Sequence, residues 1–584
     1  MWKYKFRLLL GVVFIVISNL FSVVPAKVTS TTIDFVAQNI SSYKNIKGTA
    51  SEENWLNNFS LKFVGFLALI VAFTLLRGVF MFFMRQTIIV MSRLIEYDMK
   101  KEIFDKLLNL PVKFYKHNNT GDLMARMSED VSQVRMYIGP AIMYAVNLLV
   151  MFVVVVYAML KVDVKLTLYV LTPLPILSYV VYKISSVINR QSAAIQKKIA
   201  ELSTFSQETF SGIRIIQAYA KEENTFKKMQ VLANDYRQLA LKQVKTDSLF
   251  QPSITFLIGL STIFTIYVGG VQAIDGKIST GNIAEFVIYV NMLTWPVTSL
   301  GWVSSLIQKA SASQDRILFL MNQENENNTE NTQAFKFNTS IEFKNVSLYF
   351  PYSNIYALKN ISFKINKGES VGILGKTGSG KSSIIALLNR FYEPTEGEIL
   401  IDNINIKNMD IESLRKNMGI VPQDVFLFSD SIKNNIGFSA KGYSAPMQEI
   451  EKAATFASIS QNIMELPMAY ETIIGERGVT LSGGQKQRVS IARAYLSNPE
   501  IFIMDDSLSA VDTHTEDEIL KNLGDFQKDR TSIIVGHRIS SMKNVDKIIV
   551  LENGLILEHG TPLELQEKKG YFYDLTRIQM DENV

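Results

Sequence analysis

Six long apolar runs fill the first half of the chain, and nothing else in the sequence limits its fold as strongly. A helix needs about 20 apolar residues to cross a bilayer, and residues 6–24, 61–84, 137–160, 164–184, 250–274 and 282–307 each approach or exceed that length. The connections 85–136 and 185–249 are rich in lysine and arginine, whereas the alternate ones hold only Lys27, Lys44 and Lys47, then Lys161, then Lys277. Positive charge stays on the cytoplasmic side, so both termini and the two basic connections are expected in the cytoplasm. Residues 27–60 are expected as an outward-facing loop. Lys3, Lys5 and Arg7 ahead of the first run also fit a secretory signal, but the run is long for one and Val23-Val24-Pro25-Ala26-Lys27 is a poor cleavage site. Few residues precede that run, which leaves little room for an additional helix.

The two basic connections do not read as loose loops. Residues 91–110 and 184–209 continue a helical pattern, so the spans should project beyond the membrane. The breaks around Phe114–Asp122 and Ser211–Arg214 read either as plain turns or as short transverse helices that dock on a second domain. Within the runs, Arg77 is expected to snorkel to the interface, and Glu285 and Asn291 are the candidates to line a cavity. Pro173, Pro175, Pro252 and Pro296 are candidate kinks.

Composition removes several function classes. A chain of 584 residues exceeds one core, and a net charge of +5 with no basic stripe interleaved with aromatics argues against nucleic acid as a partner. There is no cysteine, hence no disulfide, thiolate metal site, cysteine nucleophile or cysteine-peptidase domain. His117, His514, His537 and His559 lack metal-ligand spacing.

Residues 321–338 are rich in Asn, Glu and Thr and read as a linker between a membrane domain (1–320) and an α/β domain (339–584). Short strands are expected at 341–343, 361–365 and 370–374. The last leads into Gly375-Lys376-Thr377-Gly378-Ser379-Gly380-Lys381-Ser382, which fits G-x-x-x-x-G-K-[ST] between an apolar strand and a helical run. Backbone N–H groups of such a loop wrap phosphates; Lys381 should reach the β- and γ-phosphates of ATP, and Ser382 should bind Mg²⁺. Downstream, the apolar strand Ile501–Met504 ends in Asp505 and Asp506. Asp505 is the candidate Mg²⁺ carboxylate and Asp506 the group that orients the attacking water.

Leu481-Ser482-Gly483-Gly484-Gln485, opening a helical run, resembles the signature of the ABC (ATP-binding cassette) transporters. Further pieces stand in that family's order. Gln423 matches the glutamine loop, Ser509-Ala510-Val511-Asp512 the D-loop, and His537 the switch histidine. Gly475-Glu476-Arg477-Gly478 resembles an exporter-specific segment, and Phe114 through Gly121 with Arg126 and Asp130 resembles an exporter coupling region. The resemblance spans nearly the whole chain. It implies a six-helix α-helical transmembrane domain fused to an α/β P-loop ATPase of ABC type. It also implies that Gln423 joins Ser382 and Asp505 at Mg²⁺, that His537 and Gln423 assist Asp506, and that Ser482, Gly483, Gly484 and Gln485 contact the ATP of an opposite subunit. One chain therefore cannot close a site, and a second half-transporter is required.

Two positions depart from the family. Phe350, with Tyr349 and Tyr352 nearby, stands where a tyrosine usually stacks on adenine; a π face suffices for stacking. Asp506 stands where the catalytic base is usually glutamate. Its carboxylate falls short by roughly 1 Å, a displacement that can cost about a hundredfold in rate. In the family, aspartate there often marks the weak site of a heterodimer, so a heterodimeric partner is favoured over a homodimer. The reading as a whole is an ATP-driven exporter of a hydrophobic or amphipathic compound, in a bacterial inner membrane. An ATP-gated regulator would call for a regulatory insertion, and an importer fits the fused six-span layout less well.

Overall fold

The computed structural model describes residues 2–581 apart from 327–331, 352, 441–444, 476–480, 529 and 543. Tyr352 and residues 476–478 of the exporter-like segment thus lie outside the described residues. The chain forms two compact units, one of Met1–Leu108 with Thr120–Gln323, the other of Asn109–Asn119 with Glu324–Val584.

Six long helices build the first unit: Trp2–Ile46, Glu52–Leu108, Thr120–Val162, Val164–Ser211, Glu222–Ile274 and Thr280–Met321. All are long and apolar enough to span a bilayer. The most apolar stretch of the second buries none of its residues within the chain, so lipid or another subunit must cover it. The outward segment differs from the expected loop. Helix one runs to Ile46 and helix two starts at Glu52, leaving only 47–51 between them. Hydropathy misses these turns because they are polar. They are joined instead by ring contacts between Phe35 and Phe59 (5.2 Å) and between Tyr43 and Trp55 (5.3 Å).

One intramembrane expectation also changes. Glu285 is buried and accepts hydrogen bonds from the Tyr289 hydroxyl (2.7 Å) and Asn282 Nδ2 (3.1 Å), so its charge is turned into the packing rather than into a cavity. Asn291 returns its amide to the Val287 carbonyl of its own helix at 2.8 Å. Beyond the spans, the breaks become Val112–His117 and Ile213–Ala218, both short helices. After the first of them, a π-helical turn over Arg126–Asp130 brings Asp130 to the sixth helix. There Asp130 is 4% exposed and accepts from Ser313 Oγ (2.8 Å) and Arg316 Nε (2.8 Å), with a second, short contact to Arg316 Nη2.

In the second unit, the segment ahead of the sheets is pinned down: Arg415 holds Glu326 through two bonds of 2.8 Å, and Phe335 and Phe337 are buried. An antiparallel sheet in the order β2-β1-β4-β5 follows, from β1 (Ser340–Phe350), β2 (Ile355–Asn366), β4 (Glu396–Ile401) and β5 (Ile404–Asn405). A six-stranded sheet has the order β10-β9-β3-β8-β7-β6. Its strands are β3 (Ser370–Gly375), β6 (Met418–Val421), β7 (Ile501–Asp505), β8 (Thr531–Gly536), β9 (Lys547–Glu552) and β10 (Leu555–Gly560). Strands β3, β7 and β8 are buried along their whole length, as parallel strands covered on both faces must be. Alternation divides β7 between two cores. Ile501 and Ile503 pack toward the antiparallel sheet, and Phe502 and Met504 toward the helices.

Burial opposes the charge of Asp130, yet Arg316 and Ser313 hold its carboxyl below the usual carboxylate range. A lowered folded pKa contributes stability that is complete above about pH 4 and is lost as pH falls through the folded value. Asp130→Asn should remove about 1.5–3 kcal/mol and lower the thermal midpoint of the purified protein at pH 7. An unchanged midpoint would show that the clasp contributes nothing.

Candidate nucleotide site

The glycine-rich loop begins where β3 ends. Gly380 has φ +103°, and a side chain there would stand 2.4 Å from the Ala357 carbonyl of β2, so only glycine fits. Gly380 caps the helix Lys381–Leu388 and has no side chain to satisfy its first amides. Ser383 N–H is taken by the Gly380 carbonyl at 3.0 Å, and the N–H groups of Lys381 and Ser382 are left to face an anion. Lys381 donates to the carbonyls of Gly375 (2.7 Å) and Lys376 (2.9 Å), which leaves one of its three ammonium protons for a ligand. Burial pushes its pKa down, opposed by the charges of Asp506 and Asp505. Ser379 Oγ is buried without a hydrogen-bond partner, another polar atom that a bound phosphate could engage. Lys376 lies 5.9 Å over the ring of Tyr571, whereas Thr377 and Gly378 form the exposed tip of the loop.

The acidic pair sits two strands away, at the end of β7. Ser382 Oγ donates to Asp505 Oδ1 at 3.2 Å. Burial raises the Asp505 carboxyl, and the neighbouring Asp506 charge adds to the rise. A hydroxyl beside an electrostatically strained carboxylate is a hard-oxygen donor set that suits Mg²⁺. Asp506 has φ +44° and donates its N–H to the Val535 carbonyl at 2.8 Å. This step aims its side chain at the end of β8, where Asp506 Oδ1 lies 2.9 Å from His537 Nδ1. Gln423 Nε2 approaches Asp506 Oδ2 at 3.5 Å from the end of β6. The residues expected to surround the reacting water thus come together from three strand ends.

The signature lies elsewhere in the same unit. Ser482 caps the helix Gly483–Leu496: its Oγ accepts from Gln485 N (3.2 Å) and its own N–H donates to Gln485 Oε1 (2.9 Å). A side chain at Gly484 would stand 2.7 Å from the Ala510 carbonyl, and Gln487 accepts from Ala510 N at 3.2 Å. The helix is thereby pressed onto the D-loop, a contact for which Gln487 gives no signal in the sequence. Among the described residues no hydrogen bond or ion pair joins Ser482 or Gln485 to Lys381, Ser382, Asp505 or Asp506. Phe350 ends β1 with its ring edge-on to Tyr392 (5.2 Å, 82°), and Tyr349 pairs with Tyr356 (4.8 Å). No described ring contact or hydrogen bond links Phe350 to the phosphate loop.

Residues 8–297 match the family model of the ABC transporter transmembrane region, and residues 358–509 match the ABC transporter family model. The chain is 37% identical over 488 residues to the uncharacterized ABC transporter ATP-binding protein YknU of Bacillus subtilis, covering 82% of each. It is 31% identical over 581 residues to the multidrug resistance-like ATP-binding protein MdlA of Escherichia coli, covering 99% of this chain and 95% of that one. The chain belongs to the ABC transporters. A solved bacterial Atm1-family ABC exporter with ATP bound superposes with a TM-score of 0.76 at 26% identity, covering 98% of both chains. This ABC transporter is a half-transporter of exporter type, with the ATP-binding and ATP-hydrolysing domain typical of the family. Its six apolar helices make it an integral, multi-pass membrane protein.

Adding a methyl at Gly484 must displace the Ala510 backbone. In Gly484→Ala introduced into an Asp506→Glu background, ATP turnover should fall about tenfold or more, while nucleotide binding, measured with a fluorescent ATP analogue, stays near that of the protein with Gly484. Equal loss of binding would mean that the change unfolds the domain instead.

Proposed function

We propose that this transporter exports a hydrophobic or amphipathic compound, such as a drug or a lipid, across the bacterial plasma membrane, with both termini cytoplasmic. We further propose that it is the weakly hydrolysing half of a heterodimer. The observation that carries this reading is the convergence of Gln423, Asp506 and His537 on one point, with aspartate as the central carboxylate. The multidrug resistance-like name of the E. coli relative supports the cargo class.

In this reading the amides that open Lys381–Leu388 and the free proton of Lys381 hold the phosphates of ATP. Gly375, Lys376, Thr377, Gly378, Ser379 and Gly380 form the cradle, and Phe350 gives the adenine an aromatic neighbour. Ser382 and Asp505, with Gln423, would hold Mg²⁺, which when bound neutralises charge on the phosphate oxygens. Asp506 orients the water that attacks the γ-phosphate, and His537 holds that carboxylate in place. Ser482, Gly483, Gly484 and Gln485 cannot serve their own chain's loop, so they face the nucleotide of the partner subunit. ATP binding then joins two motors, and hydrolysis parts them, biasing the spans between two access states.

The decisive experiment is Mg²⁺-dependent ATP hydrolysis by the chain alone in lipid nanodiscs, with Lys381→Ala as the blank. Turnover near the blank with ATP binding retained is expected, and Asp506→Glu should raise it about tenfold to a hundredfold. Brisk turnover by the unaltered chain, with no gain from glutamate, would make it a self-sufficient homodimer.

A further inference from the structure

The fourth and sixth span helices enclose a cavity of about 460 Å³, within the range of about 300–1,000 Å³ usual for small-molecule sites. Ser178 lines its inner part, and six further polar side chains stand near the ends of the two runs: Ser185, Ser186 and Asn189 on the fourth helix and Ser304, Ser305 and Gln308 on the sixth. Both apolar runs end here, at 184 and 307. By the charge asymmetry of the connections this is the cytoplasmic boundary of the membrane.

None of these six side chains makes a hydrogen bond among the described residues. Three hydroxyls elsewhere on the span helices behave differently: Thr29, Thr262 and Thr265 return theirs to carbonyls four residues back at 2.8, 3.0 and 2.8 Å. The cavity therefore presents hydroxyl and amide groups, each both donor and acceptor, that are open to water or to a ligand. It also presents no charge. No Asp, Glu, Lys or Arg lines it, and the nearby Lys183, Arg190 and Lys309 are not part of the lining. An ionic group entering it would lose hydration without meeting a counter-charge. Tyr182, also in the lining, adds an aromatic face.

We propose that this cavity binds a neutral polyhydroxyl group, the uncharged sugar-like head of an amphiphile whose tail stays in the inner leaflet. As a statement about cargo the inference rests on the export reading; as a statement about binding it does not.

The test uses the full chain in nanodiscs and a photoreactive, radiolabelled dodecyl glucoside, with peptide mapping of the label. Label should appear in residues 178–189 or 301–308 and be displaced by unlabelled dodecyl glucoside at concentrations at least tenfold below those needed with dodecyl phosphate or dodecyltrimethylammonium. Displacement by free glucose as well would identify a soluble polyol as the source, and its failure a lipid-like one; both support the chemistry. Asn189→Leu combined with Gln308→Leu should cut labelling about tenfold, and competition in the unaltered chain stands even if that variant fails to fold. Equal displacement by the ionic amphiphiles, or label confined to other helices, would overturn the proposal. If labelling behaves as expected but no amphiphile stimulates ATP hydrolysis by the Asp506→Glu chain, the cavity assignment stands and the export reading fails.

Discussion

The parallel pairing of β3, β8, β7 and β6 is the constraint on which the candidate site depends. Leu374 lies beside Gly536, Asp505 beside Val535, and Val421 beside Met504. The chain therefore leaves all four strands at the same edge, carrying the phosphate loop, His537, the acidic pair and Gln423 respectively. Residues far apart in sequence become neighbours without any loop having to find its way. A slip of one residue in any pairing would turn the side chains to the opposite face, and the complete burial of β3, β7 and β8 on two separate cores makes such a slip costly.

In the membrane unit the corresponding constraint is polar satisfaction. Glu285 is met by Tyr289 and Asn282 within one helix, and Asp130 by Ser313 and Arg316 across two. Among the described residues Gln191, Ser261 and Gln272 each keep a buried polar atom without a partner, and the serine- and amide-rich cavity adds uncharged polar side chains that stay open to solvent. In a medium that offers few partners, such groups mark the place where water or a ligand enters.

What was legible in the sequence followed from how local its cause was. Hydropathy located six spans because each is one uninterrupted run. The phosphate loop and the signature could be read because their glycines serve contacts within a few residues or against one fixed neighbour. Residues 27–60 were misread as a loop because polar helical turns held by Tyr43–Trp55 and Phe35–Phe59 contacts carry no hydropathy signal. Glu285 was misread because its partners, three and four residues away, look like any other polar residues in a run. The meeting of Asp506 with His537 spans 31 residues, and that with Gln423 spans 83. Motif order suggested both, but only sheet order could produce them.

On the proposed reading of Asp506, one methylene matters more than charge. Its backbone is fixed by the bond to Val535, and one carboxylate oxygen is taken by His537. The other faces Gln423 at 3.5 Å, so reach toward a water is limited by the tether as well as by length. A glutamate on the same backbone could keep the His537 contact and still extend further, because its extra torsion separates the two demands. On the same reading Lys381, Ser382 and Asp505 hold the nucleotide, and the signature helix is capped by Ser482. A site that holds ATP firmly and turns it over slowly suits a dimer in which one site stays closed while the other cycles. That asymmetry would follow from side-chain length alone.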